Sequence, residues 1–189
     1  MKRILAALVL LAGTCAGPAA AQELTGRFLL ETHDGQRVTD ASFAGRVRLM
    51  AFGYTFCPDI CPTTLSTLSS ALDLLGPQAA DVVPIFVTVD PKRDTREHLK
   101  EYVSAFGPAF IGLTGTPEMT DAAAKAFKVR YVLHPPMKDD PDTYLVDHSA
   151  GIFIMDRDGR FAAKLGHMAT AGDVAERLAQ VLHDQGKPR

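Results

Sequence analysis

The apolar positions of this chain fall into short runs whose spacing alternates between that of strands and that of helices from about Leu24 to about Leu182. Arg27 to Glu31 and Gln36 to Thr39 have strand character on either side of His33-Asp34-Gly35, and Asp-Gly between such runs predicts an opening hairpin. Val47 to Tyr54 is strongly apolar and strand-like. Directly behind it, Thr55-Phe56-Cys57-Pro58-Asp59-Ile60-Cys61-Pro62 leads into an amphipathic stretch that lasts to Leu75. Two cysteines are thus expected where a strand turns into a helix. Val82 to Val89 predicts a second buried strand, ended by Asp90-Pro91, and Asp94 is expected to cap the next helix with Glu97 three residues on.

Thr116-Pro117 opens a further helix to about Phe127, a capping hydroxyl followed by proline in the first turn. Val129 to Leu133 is short and strand-like. His134 to Asp147 holds Pro135, Pro136, Pro141 and several acids and is expected to be a long loop, a length that often carries function. Gly151 to Met155 and Phe161 to Leu165 flank Asp156-Arg157-Asp158-Gly159 as a second hairpin, and a last helix runs from Thr170-Ala171-Gly172-Asp173 to about His183. Strand–helix–strand–helix implies parallel pairing. The order as a whole predicts an α/β protein with a thioredoxin-like fold, an N-terminal β-hairpin and an inserted helix and loop. With no internal repeat and no low-complexity tract, residues 22–189 are expected to form a single domain.

Residues 1–21 are set apart from that domain. Lys2 and Arg3 precede the apolar run Ile4 to Ala12, and Ala19-Ala20-Ala21 supplies small residues for cleavage before Gln22, the pattern of a secretory signal. The apolar run is shorter than the roughly 20 residues that span a bilayer, which argues against a retained anchor. Thr14 before Cys15 argues against a lipidation box. Loss of the leader removes two basic residues and no acid, leaving 18 basic against 22 acidic residues, a formal charge of −4. That balance excludes a nucleic-acid footprint. Export, with a periplasmic destination, also narrows what the remaining cysteines do. In an oxidising compartment Cys57 and Cys61 form a disulfide, a metal site or a redox couple.

The two cysteines are spaced i, i+4 at the start of a helix, where both thiols gain from the positive end of the helix dipole. As a plain disulfide the pair would close a very small loop and contribute little by loop-length entropy. His148, just before the strand at Gly151, is expected beside the cysteine loop, at the place where general dithiol oxidoreductases usually carry a cis-proline. Two thiolates and one imidazole suit Cu(I) and accept Cu(II) with an added ligand, whereas structural zinc usually takes four ligands. Met137 and His134 in the long loop are candidate transient donors, although methionine more often packs. His33, His98, His167 and His183 are expected to be solvated or structural. Asp59 and Asp90 are expected at the same sheet edge, either as turn formers or supporting the site. A thiol-disulfide oxidoreductase and a peroxide-reducing relative, which needs an arginine near its reactive cysteine, remain open alternatives.

The ordered set Phe52-Gly53-Tyr54-Thr55-Phe56-Cys57-Pro58-Asp59-Ile60-Cys61-Pro62, Thr88 to Thr95, Asp147-His148-Ser149 and Asp156 to Gly159 resembles the Sco/SenC family of copper-binding assembly factors. The resemblance covers nearly the whole domain. It implies a thioredoxin-like fold and one copper ion per chain, as Cu(I), Cu(II) or both, held by Cys57, Cys61 and His148. It further implies a role in delivering copper to, or preparing, the dinuclear copper centre of cytochrome c oxidase. The implied partners are the copper-receiving oxidase subunit and other periplasmic copper carriers or thiol reductants, with a monomeric chain expected. Many members keep an N-terminal membrane anchor, whereas this leader reads as cleaved.

Overall fold

A computed structural model describes residues 24–136 and 140–185. The leader and Met137 lie outside them. The chain opens with the predicted hairpin, β1 (Leu29–Thr32) and β2 (Arg37–Thr39), followed by a 3₁₀ turn at Asp40–Phe43. β3 (Val47–Gly53) leads through the cysteine loop into α1 (Ile60–Leu75). β4 (Val82–Thr88), α2 (Arg96–Ser104), β5 (Ile111–Thr114) and α3 (Pro117–Ala126) come next. β6 (Tyr131–Leu133) and β7 (Val146–His148) form a separate antiparallel ribbon, and β8 (Ile152–Met155), β9 (Phe161–Leu165) and α4 (Ala171–Gln185) complete the chain.

The main sheet has the order β2-β1-β5-β4-β3-β8-β9. β3, β4 and β5 are parallel, and β8 runs antiparallel to β3. Every residue of β3 and β4 is buried, because alternate side chains serve two different cores. Val47, Leu49 and Ala51 face α1, α2 and α4 through Leu65, Leu68, Leu99 and Leu178, while Met50 and Phe52 face Ala123 and Phe127 at α3. That two-sided burial is why the strands read as unbroken apolar runs. The structure is the thioredoxin-like α/β arrangement expected, with the hairpin and the inserted elements in place.

Three local expectations are corrected. β5 was not anticipated, since Gly112 interrupts a four-residue run and reads as a breaker. The glycine is there for close approach: a Cβ on Gly112 would lie 2.5 Å from Cγ of Leu99, which packs α2 onto the strand. The loop after β6 is shorter than expected, because Val146, Asp147 and His148 pair with Leu133, Val132 and Tyr131. The cap of α2 is Thr95, whose hydroxyl accepts from the His98 N–H, and not Asp94. Thr116 caps α3 as predicted.

The contact at Gly112 gives the first prediction. Gly112→Ala should lower stability by about 1–3 kcal/mol, the usual cost of forcing an extra carbon into a packed site. Urea unfolding would show it as an earlier midpoint with unchanged slope. A midpoint equal to that of the parent would mean that α2 moves away freely.

Candidate metal centre

β3 stops at Gly53 because the first turn of α1 closes over it. A Cβ at Gly53 would lie 2.4 Å from Cys61 Sγ and 2.9 Å from the Phe86 ring. Helix geometry starts at Ile60, so Cys61 and Pro62 are in the first turn and Cys57 remains in the loop. Pro62 costs nothing there, since first-turn N–H groups have no helical partner. Cys61 is buried and Cys57 is half-buried.

His148 arrives from the far side, at the end of β7. Its Nε2 lies 3.4 Å from Cys61 Sγ, and the Tyr54 ring meets the imidazole edge-on at 6.0 Å. The donor atoms of Cys57, Cys61 and His148 all lie within 4.8 Å of one another. His148 Nδ1 is buried and has no hydrogen-bond partner among the described residues, so no carboxylate or carbonyl has claimed the ring. Both cysteines are free thiols. Two soft sulfurs and an uncommitted imidazole fit a single soft metal ion. The crevice beside them, between Ile60, Thr64, Ala150 and Gly151, has room for about one water-sized group.

The thiols are not alike, which corrects the expectation that the helix end favours both thiolates. Cys57 is pulled down to about 5, first by the hydrogen bond from the Cys61 thiol, with help from the backbone N–H groups of Asp59 and Cys61 and from His148. Cys61 is pushed up, first by its bond to Cys57 and then by burial. The metal-free pair therefore favours the thiolate at Cys57 and the thiol at Cys61. A metal ion held by both sulfurs would displace the second proton.

The other expected residues fall outside this cluster. The His134 ring pairs with Asp147 at 2.7 Å on the exposed face of the ribbon. His33 accepts from the Gly112 N–H at 2.9 Å, and His98 stacks on Phe56. His167 and His183 are exposed. Asp59 takes the cap position of α1 without a side-chain capping bond and supports the site with its backbone N–H. Asp90 is fully buried and holds Arg93 and the Tyr144 hydroxyl, at 2.5 and 2.8 Å. The Arg93 guanidinium carbon sits over the Tyr144 ring, 3.6 Å from its centre, and the group donates to the carbonyls of Asp142 and Tyr144. It therefore ties residues 142–144 to the end of β4.

Sequence reasoning missed one carboxylate. Asp94 is fully buried, and burial pushes its carboxyl above the usual range while the hydroxyls of Thr55 and Thr88 pull it back. The available signal was Thr88 ending an otherwise apolar strand and Thr55 standing beside the cysteines.

A family model described as SCO1/SenC matches residues 16–183. The chain belongs to the SCO1/SenC family. Among SCO1/SenC relatives, the sco1 protein of Schizosaccharomyces pombe is 41% identical over 157 residues, covering 82% of this chain and 60% of the relative. The human mitochondrial SCO1 homologue is 38% identical over 158 residues, covering 82% of this chain and 52% of the relative. The chain thus spans between about half and three fifths of these relatives' length. In three dimensions it is similar to the copper-bound ScoI of Bradyrhizobium japonicum, with a TM-score of 0.75, 39% identity, and coverage of 83% of this chain and 98% of that one.

The asymmetry between the thiols is testable in the metal-free, reduced chain. The thiolate is the nucleophile, so Cys57 alkylation should fall as pH drops through about 5 and reach a plateau above it, with Cys61 unlabelled at pH 7. A single midpoint near the ordinary thiol value would contradict the hydrogen bonding described.

Proposed function

We propose that this chain binds one copper ion through Cys57, Cys61 and His148 and serves cytochrome c oxidase assembly, delivering the metal to, or preparing, the oxidase's dinuclear copper centre. One observation carries the reading: two soft sulfurs and one imidazole nitrogen converge within 4.8 Å on a scaffold of the SCO1/SenC family, whose similar solved structures include copper-bound ones. Copper is cargo in this reading. The buried Cys61 retains the ion while the half-exposed Cys57 side admits a partner's sulfur, so ligands exchange one at a time. The leader and the oxidising compartment implied by it fit an exported chain acting in the periplasm, where the receiving oxidase subunit and other copper carriers or thiol reductants would meet it.

The split between an acidic Cys57 and a protonated Cys61 favours one further reading, reduction of a partner's disulfide. The Cys57 thiolate attacks a partner sulfur and the partner's other sulfur leaves as thiolate. Cys61 then loses its proton and attacks Cys57, releasing the partner's first cysteine. Two electrons pass to the partner, and this chain ends as the Cys57–Cys61 disulfide. Copper binding and this exchange draw on the same reduced pair.

His148 separates the two. Anaerobic titration with Cu(I) against a competing chelator should give tight one-to-one binding to the parent, and Cys57→Ser, Cys61→Ser and His148→Ala should each weaken it by at least about tenfold, roughly 1.4 kcal/mol. His148→Ala should leave dithiol exchange largely intact. Parent-like copper affinity in His148→Ala would remove it as a ligand, and weak binding insensitive to all three changes would favour the oxidoreductase.

A further inference from the structure

The turn that carries Cys57 is held from beneath. Thr55 follows the end of β3, and its backbone N–H and hydroxyl both donate to the Asp94 carboxylate, at 3.1 and 2.6 Å. The Thr88 hydroxyl, at the end of β4, donates to the same carboxylate at 2.5 Å. Asp94 is itself fixed: its N–H donates to the Asp90 carbonyl at 3.0 Å, and the Thr114 hydroxyl from β5 reaches its carbonyl at 3.4 Å. Asp94, Thr88 and Thr114 are all buried. The ends of three adjacent strands are thereby tied to one residue, β3 and β4 through its carboxylate and β5 through its backbone carbonyl.

A carboxylate suits that place for a specific reason. An ionised carboxyl only accepts hydrogen bonds, so the two hydroxyls and the Thr55 N–H all point inward at it. Without it, the half-buried Thr55 N–H loses its partner, and the backbone there has an incentive to turn toward water. Residues on both sides of Thr55 reach the metal centre. Tyr54 packs edge-on against His148, and the Cys57 N–H donates to the Tyr54 carbonyl at 3.2 Å, closing the turn.

We infer that Asp94 is a positioning residue of the metal centre, which holds the Tyr54–Cys57 turn against β4 through Thr55 and so sets where Cys57 stands relative to Cys61 and His148. It touches none of the three donors; its charge pushes the buried Cys61 thiol up, and its hold on the Cys57 turn passes through Thr55. For the metal affinity it modulates, the inference rests on the copper reading above; for the ordering of the turn it stands by itself.

The test compares Asp94→Ala, Asp94→Asn and a buried variant on β2, Val38→Ala, with three strands between it and β3, in the full chain, by amide hydrogen exchange without metal and by Cu(I) titration. In Asp94→Ala the amides of Thr55 to Cys57 should exchange at least about tenfold faster, and Cu(I) should bind about tenfold more weakly. Asp94→Asn keeps an acceptor for the Thr55 N–H and should restore most of both. Val38→Ala should unfold earlier in urea and match the parent in both readouts, a result that loss of stability alone would not give for Asp94→Ala. If Asp94→Ala does not fold, Thr55→Val, which removes only the hydroxyl bond, should move both readouts in the same direction by a smaller factor. Parent-like exchange at Thr55 to Cys57 in a folded variant would overturn the inference, and so would a loosened turn with parent-like Cu(I) affinity. A parent that binds no Cu(I) would sink the copper reading, and the exchange rates would still decide whether Asp94 holds the turn.

Discussion

β3 is buried on both faces and hydrogen-bonded on both edges, to β4 from Val47 to Gly53 and to β8 from Arg48 to Ala51, so the chain leaving it at Tyr54 starts from a fixed point. The geometry of the centre follows from that constraint. α1 must begin within a few residues and pass directly over Gly53, which brings Cys61 Sγ onto the strand end with no room for a Cβ. Cys57 then has only a short turn in which to stand, and Thr55 is fastened to Asp94 within that turn. His148 completes the set because the β6–β7 ribbon delivers the chain to the start of β8, the strand on the other edge of β3.

The centre also illustrates how two identical side chains come to differ. Cys57 and Cys61 stand within one turn of each other near the same helix end, yet the surroundings pull the Cys57 thiol down and push the Cys61 thiol up. The helix dipole acts on both. The difference comes from who donates to whom: Cys61 and two backbone N–H groups give to Cys57, while Cys61 lies buried with a negative sulfur beside it. A cation binding both sulfurs would reverse that cost for Cys61, so metal binding releases a proton and weakens as pH falls.

Much of this was legible in the sequence, and the parts that were not share a cause. β3, β4, β8, β9 and the four helices follow from periodicity and helix-start signals, because the side chains that define them are the ones they bury. The hairpin turn at His33-Asp34-Gly35 was legible from Asp-Gly alone. Cys57, Cys61 and His148 were legible as chemistry, and the fold brings them together. β5 was hidden by Gly112, whose purpose is visible only once Leu99 is seen packed on it. Asp94 was read as a cap because Thr95 beside it is an equally good one, and nothing local says which of two adjacent residues faces inward. The division of protons between the cysteines depends on donors from the folded turn. What escaped was each time a contact between segments remote in sequence or a hydrogen-bond direction.

The coordination of the metal itself is the most direct test of the centre. X-ray absorption at the copper edge, on the reduced chain loaded with one equivalent of Cu(I), should show two sulfur ligands and one imidazole nitrogen, with the nitrogen signal lost in His148→Ala. A sulfur-only shell, or a shell of oxygen and nitrogen alone, would contradict the three-residue centre.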